Sequence, residues 1–254
     1  PVIAKCYTDD TGDRTHRVMQ ALSAALARQQ SPVLAAPAAL GYDAGRRCLV
    51  QSRAGGVPFL DLAGTREFLP ALSLAGEALA DLHGLSLAEG EAKCLADHVA
   101  ELMHPHPREL GRLLPAVQAR IEALLAALLA AERRLAGNVE PRPLHRDFHL
   151  RQLFLDSGRV WVIDWDLYAR GDPALDVGNL IMYLETRLDA DVQVSTEAFL
   201  DGYFSRAPEG IYPRIAFYKA LNYLRRACKH CRLAQPGWAA KAAQMLERAE
   251  ACLA

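Results

Sequence analysis

The sequence predicts an α+β protein of two lobes, a small sheet-containing lobe over residues 1–53 followed by a large helical lobe over residues 54–254. Three observations carry this. Short apolar, strand-like stretches crowd the first part of the chain. From residue 65 onward the apolar residues fall at helical spacing. The helical part is broken once, by a short hairpin between Leu153 and Ile163 that bears an acid near each end. A chain of 254 residues is long enough to bury a sizeable core.

Residues 1–7, PVIAKCY, read as an apolar strand broken by Lys5. A lysine there is an edge-strand charge or a phosphate ligand. Alone it favours the first; with the acids of the later hairpin, the second. Residues 15–29 read as an amphipathic helix with Val18, Leu22, Ala25 and Leu26 on one face. Residues 32–49 look like strands joined by a turn over residues 41–45, and CLVQSRAGG (48–56) is an apolar strand running into a break. Residues 65–83 carry Phe68, Leu69, Leu72, Ala75, Leu79 and Leu82 at helical spacing and stop at Gly84. Residues 110–135 form a long Ala/Leu-rich helical region with a break expected near Pro115. Asp172-Pro173 signals a helix start, Asp as N-cap and Pro in the first turn. Residues 195–254 hold two or three further helices, and no repeat, low-complexity run or clear linker interrupts the chain.

The most informative stretch is residues 144–184. Leu153-Phe154-Leu155 and Val160-Trp161-Val162-Ile163 flank the turn chemistry of Asp156-Ser157-Gly158. Asp147 precedes this hairpin and Asp164 follows it, 17 positions apart (164 minus 147). Two carboxylates on one rigid hairpin suit phosphoryl transfer, where one orients a hydroxyl and the other holds Mg²⁺ against the phosphates of ATP. A structural hairpin with turn-capping acids is the blander account. His145-Arg146-Asp147 alone leaves that account favoured; adding Ile163-Asp164-Trp165-Asp166 and Gly171-Asp172-Pro173-Ala174-Leu175-Asp176 reverses the preference.

With these motifs the chain resembles the aminoglycoside phosphotransferase and choline kinase family, small-molecule relatives of the protein kinases. That family typically shows H-G-D-x-H-x-x-N, then I-D-F/W-D/E, then G-D-P-x-x-D. The resemblance implies a protein-kinase-like fold with ATP and Mg²⁺ as cofactors and a small-molecule hydroxyl as acceptor. It makes Asp147 the catalytic base, with Arg146 and His149 counted in the same catalytic loop. His149 occurs in the small-molecule kinases rather than in ordinary protein kinases. Asp164 becomes the principal metal ligand, and Asp166 assists at the metal or holds the loop. Gln152 stands where the family has a metal-binding Asn. Its amide oxygen is one methylene further out, as in maltokinases, and still able to coordinate. Lys5 would meet the phosphates, and backbone groups near Gln51 and Arg53 the adenine.

Two expected parts are missing. Only four residues precede Lys5, so no glycine-rich hairpin covers the phosphates, and the start at Pro1 suggests that upstream sequence exists. Residues 15–29 offer no acid to pair with Lys5, leaving Asp9, Asp10 and Asp13 as weak candidates. These gaps keep a rival reading open, a pseudokinase-like nucleotide-binding module without transfer activity. A metal-dependent hydrolase fits poorly, for want of a two-metal His/Asp cluster.

Bulk properties agree and decide less. A net charge of −1 argues against a nucleic-acid partner. No apolar run has the length of a membrane span and no signal peptide opens the chain, which points to the cytoplasm. The six cysteines read as reduced, and Cys228 and Cys231 as core thiols of a helix rather than zinc ligands. His98, His104 and His106 are expected at the surface or in loops. A helix over residues 214–232 should present Lys219, Arg225, Arg226, Lys229 and Arg232 on its polar face. Facing the cleft, these cations would repel a polycation and favour a neutral or anionic acceptor.

Overall fold

The apolar start of the chain forms β1 (Val2–Cys6). In this computed structural model, which describes residues 1–29, 32–135, 139–188 and 191–254, β1 is followed by helix α1 (Thr11–Leu26). Next come β2 (Leu34–Ala35), β3 (Ala39–Asp43) and β4 (Cys48–Ser52). The strands β1, β4 and β3 form an antiparallel sheet in that order, so Lys5 lies on an edge strand. Helix α1 covers it, burying Val18, Met19 and Leu22 near the fully buried Leu49. It begins earlier than the sequence pattern suggests, because Asp9 accepts the Thr11 N–H at 2.9 Å and starts the helix. The turn after β3 also lies later than expected. Gly41, Tyr42 and Asp43 belong to the strand, and Ala44 to Arg47 make the turn, closed by Asp43 accepting the Arg46 N–H.

A second sheet, ordered β2-β8-β7-β5, contains the hairpin. Its strands are β7 (Leu153–Asp156) and β8 (Arg159–Val162), flanked by β2 and by β5 (Val57–Pro58). Register runs from Leu153 opposite Val162 to Asp156 opposite Arg159. Both turn residues, Ser157 and Gly158, have positive φ (51° and 76°), the twist that a tight two-residue hairpin needs. Because β2 joins β8, residues 34–35 belong to the sheet that carries the hairpin.

Helices make up the remainder: α2 (Phe59–Leu62), α3 (Phe68–Gly84), α4 (Leu95–Leu102), α5 (Pro107–Leu113) and α6 (Gln118–Leu135). The expected break is a 3₁₀ turn, Pro115–Val117, between α5 and α6. Strands β6 (Arg142–Leu144) and β9 (Ala169–Gly171) pair antiparallel around the hairpin region. The last four helices are α7 (Ala174–Arg187), α8 (Val192–Phe204), α9 (Tyr212–Leu233) and α10 (Trp238–Ala251). Helix α7 is the strut of this part, buried without interruption from Ala174 to Leu184. It packs on α9, α9 packs on α10, and α3 packs on α8. The α3–α8 crossing needs Gly202, since a Cβ there would sit 1.9 Å from the Ser73 carbonyl oxygen.

One of these histidine expectations needs correction. His98 is fully buried, its ring edge-on to Tyr218, because the amphipathic α4 turns it inward with Leu95, Val99 and Leu102. His104 is exposed and His106 caps α5, as a loop position allows. Cys228 is fully buried in the core and Cys231 partly so. No described helix is long and apolar enough to cross a membrane.

Candidate active site

Strand β6 delivers His145, Arg146 and Asp147 into a tightly held loop. Arg146 adopts the left-handed region (φ 65°), where the related motif has glycine. Asp176, fully buried near the start of α7, accepts the N–H groups of His145 and Arg146, each at 2.7 Å. Asn179, one turn on, donates to the Phe148 carbonyl at 3.1 Å. His145 completes the unit. Its Nδ1 accepts the Asp147 N–H at 3.3 Å, so Nε2 carries the proton and donates to the Ile163 carbonyl at 2.9 Å. The residue after Ile163 is Asp164. Both acids thus hang on one hydrogen-bonded frame.

The Asp147 carboxylate is partly buried and held from two sides. Arg225 of α9 donates to Oδ1 at 2.9 Å, and His149 Nε2 lies 3.5 Å from Oδ2. Burial alone would raise its pKa. The His149 hydrogen bond and the Arg225 charge outweigh burial and hold the carboxyl well below the usual carboxylate range. Asp147 is an ionised acceptor. Arg146, grouped with it on sequence grounds, turns its guanidinium away, towards Glu101 (2.8 Å) and the Leu167 carbonyl (3.4 Å). It braces the loop from behind instead of facing the Asp147 carboxylate.

Asp164 also has positive φ (67°) and stands exposed at the end of β8. Lys5 bridges Asp164 (2.7 Å) and Asp166 (2.5 Å). Burial would lower the Lys5 pKa, but its bonds to these acids prevail and raise it above the ordinary lysine range. Asp166 further accepts from Tyr7 Oη (2.8 Å) and Thr15 Oγ1 (3.3 Å), and its carbonyl accepts from Arg14. Its carboxylate is therefore engaged in fastening β1 and α1 to the hairpin. None of the three acids considered as Lys5 partners reaches it. Asp9 accepts the Thr11 N–H at the start of α1, Asp10 lies 3.7 Å from Arg47, and Asp13 pairs with Arg17. Asp13 lies in the first turn of α1, because the helix starts four residues ahead of the acid-free stretch 15–29.

Gln152 donates from Nε2 to Asp164 Oδ2 at 3.3 Å. Rotating this terminal amide turns its oxygen to the same point, so Asp164 and Gln152 can offer two oxygen donors side by side. Among the described residues no three His, Cys, Asp or Glu side chains cluster as a metal cage. Mg²⁺ does not require one, since it is commonly held by one or two protein oxygens together with water and phosphate oxygens. The donor chemistry fits that ion. At the end of β4, where the adenine contact was expected, Gln51 is paired in the β4 ladder, and the Arg53 N–H donates to the Pro1 carbonyl at 3.3 Å. The Arg53 donor is thus spent, leaving the N–H groups of Ala54 and Gly55 without a bond to any described residue.

The sequence pattern that defines the phosphotransferase enzyme family matches residues 3–218. The chain belongs to this family. The expected kinship with aminoglycoside phosphotransferases and choline kinases is thereby borne out, and so is the fold. A choline/ethanolamine kinase family protein from Mesorhizobium loti superposes with a TM-score of 0.69 at 19% identity, covering 99% of this chain and 82% of that one. An aminoglycoside phosphotransferase in ternary complex with ADP and hygromycin B gives 0.68 at 20% identity, covering 99% and 85%. At such identities the likeness is one of fold. No curated protein sequence matches the chain significantly.

In this phosphotransferase the cations of α9 lie along one side of the helix, as expected, but meet different partners. Lys219 pairs with Glu185 at 2.8 Å, away from the loop, and Arg232 is exposed. Arg225 reaches Asp147, while Arg226 and Lys229 line a neighbouring cavity of about 560 Å³ together with His149 and Tyr183. Asp176 and Arg225 are the functional-site residues that sequence reading missed. Asp176 closes the GDPALD motif, where it looks like one more helix-start acid; Arg225 looks like one more surface cation. Only the fold distinguishes them.

Proposed function

We propose that the protein transfers the γ-phosphoryl group of ATP to a hydroxyl of a small molecule, with Mg²⁺ as the metal. The observation that carries this is the single frame that holds the ionised Asp147 and the exposed Asp164, through His145 bridging the Asp147 N–H and the Ile163 carbonyl. Asp147 accepts the hydroxyl hydrogen of the acceptor, aligns its oxygen, and takes the proton late in the transfer. His149 and Arg225 keep it ionised and fixed. Arg146 and Asp176 hold the loop that presents it. Asp164 and Gln152 would hold Mg²⁺, which neutralises phosphate charge as it develops. Lys5 contributes its ammonium to the phosphates; its place beside Asp164 supports that role. Asp166 anchors Lys5 rather than serving first as a ligand. The adenine lies against the hinge near Gln51 and Arg53, between the parts 1–53 and 54–254. A cytoplasmic location goes with ATP as co-substrate.

The test is Mg²⁺-dependent ATP consumption across a panel of hydroxyl acceptors, for the wild type and Asp147→Asn. Loss of a general base costs roughly 10²–10⁴-fold in rate, so turnover should fall by that order while ATP affinity is kept. Near-wild-type turnover in Asp147→Asn would remove Asp147 from the mechanism. ATP binding by the wild type without transfer to any acceptor would establish the nucleotide-binding module instead.

A further inference from the structure

The cavity beside Asp147 is lined by residues from four separated stretches of chain, and its charge has one sign. Arg151 follows the catalytic loop, Arg187 ends α7, Arg226 and Lys229 come from α9, and Lys241 from α10. No carboxylate lines it among the described residues, and none lies within salt-bridge distance of these five cations. Composition does not explain this, because the whole chain has a net charge of −1. Elsewhere Arg120, Arg206, Arg214 and Lys219 all find acid partners.

An ordinary solvated face would leave such side chains extended into water. Here Arg226 and Lys229 are partly buried, and the Arg226 Nε has no hydrogen-bond partner among the described residues. Burial lowers the Arg226 pKa first, and the neighbouring Arg187 and Arg151 add to this. Burial likewise lowers His230, helped by Arg226, Lys241, Arg187 and Lys229. The cations repel one another, with the Asp147 carboxylate offsetting this at Lys229 and no carboxylate of the described residues doing so at Arg226, an arrangement that a bound anion relieves. The cavity adjoins the reacting group, since His149 lines it and also sits 3.5 Å from Asp147. It is not the nucleotide cleft: neither Lys5, Asp164 nor the hinge lines it.

We propose that this cavity between α7, α9 and α10 binds the anionic group of the acceptor, a phosphate- or carboxylate-bearing alcohol, with the alcohol's hydroxyl directed to Asp147. The proposal rests on the phosphotransfer reading for its hydroxyl and on the cavity alone for its anion. A guanidinium pair such as Arg226 and Arg187 suits the bidentate geometry of either oxyanion. Polycationic acceptors are excluded by the same field.

The experiment separates the two parts. With the nucleotide cleft filled by Mg²⁺ and a non-hydrolysable ATP analogue, calorimetry is run with inorganic phosphate, glucose 6-phosphate, gluconate, glucose and glucosamine. Expected is binding of at least one anion, weakened tenfold or more by Arg226→Glu and by the exposed Lys241→Glu, with glucose and glucosamine far weaker. The phosphate and carboxylate arms then say which oxyanion is preferred. Absence of any anion binding, or equal affinity in Lys241→Glu, overturns the proposal. Acceptor turnover is measured separately. Anion binding without any transfer would leave the cavity assignment standing and remove the phosphotransfer reading, whereas transfer to neutral or cationic acceptors in preference to anionic ones would do the reverse.

Discussion

Replacing His98 by leucine should make the protein more resistant to acid. The ring is fully buried, and neither nitrogen has a hydrogen-bond partner among the described residues. Burial, then the nearby Arg146 guanidinium, depress its pKa to about 4, against the weaker opposing pull of Asp176, Glu101 and Asp97. In the unfolded chain histidine titrates at ~6.5. Because the folded value is the lower, the unfolded state binds the proton first as pH falls. The stability His98 contributes is complete above ~6.5 and drains away between there and about 4. Linkage between these values gives about 2 kcal/mol lost at pH 5 and about 3 kcal/mol in all. Leucine is near histidine in volume and has no polar atom to leave unpaired. It forfeits an edge contact with Tyr218, so at pH 7.5 the two proteins should melt within a few degrees of one another. At pH 5 the variant should gain roughly 4–8 °C over the wild type, at ~2–4 °C per kcal/mol for a chain of this size. Thermal unfolding of both proteins at the two pH values is sufficient. A difference in melting temperature that does not change with pH would refute the reasoning, because every other titrating group is common to both.

Other outcomes follow from the loop and the metal donors. Asp164→Ala should abolish Mg²⁺-dependent ATP binding and Gln152→Ala should weaken it less, since one removes a charged ligand and the other a neutral carbonyl; calorimetric titration of Mg·ATP that ranks them oppositely would overturn the assignment. Asp176→Ala leaves two buried backbone N–H groups unpaired, at about 1–3 kcal/mol each. It should lower both the melting temperature and kcat, and an unchanged melting temperature would show that the loop holds without this clamp.

How much of this was legible in the sequence varies with the range of the interaction concerned. The hairpin was, because its signals are local: β-branched strands, a Ser157-Gly158 turn, and an acid beyond each strand. The break at Pro115 and the helix start near Asp172 are equally local, although Asp172 also reaches Arg214, 42 positions away. The partner of Lys5 was not legible. Family logic looks for an acid on the following helix, yet α1 is tied to the site through Thr15 and Arg14, and the acids come from 159 and 161 positions downstream. His98 misled for the same reason. Read with His104 and His106 in a proline-containing stretch, it looks like loop; its burial depends on Tyr218 of α9 and Gly171 of β9, both distant in sequence.

Helix α7 explains why these long-range features occur together. Its first turn supplies Asp176 to the loop backbone, its second supplies Asn179, and its last brings Arg187 to the cationic cavity. On its other side Gly178 lets α9 come so close that a Cβ would lie 2.8 Å from the Lys219 nitrogen. That approach sets where the next two turns of α9 fall, so that Arg225 meets Asp147 and Arg226 opens onto the cavity. The places where Arg225 meets Asp147 and where Arg226 and Arg187 meet the cavity are therefore set by one helix–helix contact. Helix α9 serves both sides of this contact, since Arg225 fastens Asp147 and the Arg146 carbonyl while Arg226 and Lys229, on the same helix, line the cavity. On the proposed reading, a change on α9 that alters Arg226 or Lys229 but keeps Arg225 should therefore change the charge of the acceptor without displacing Asp147.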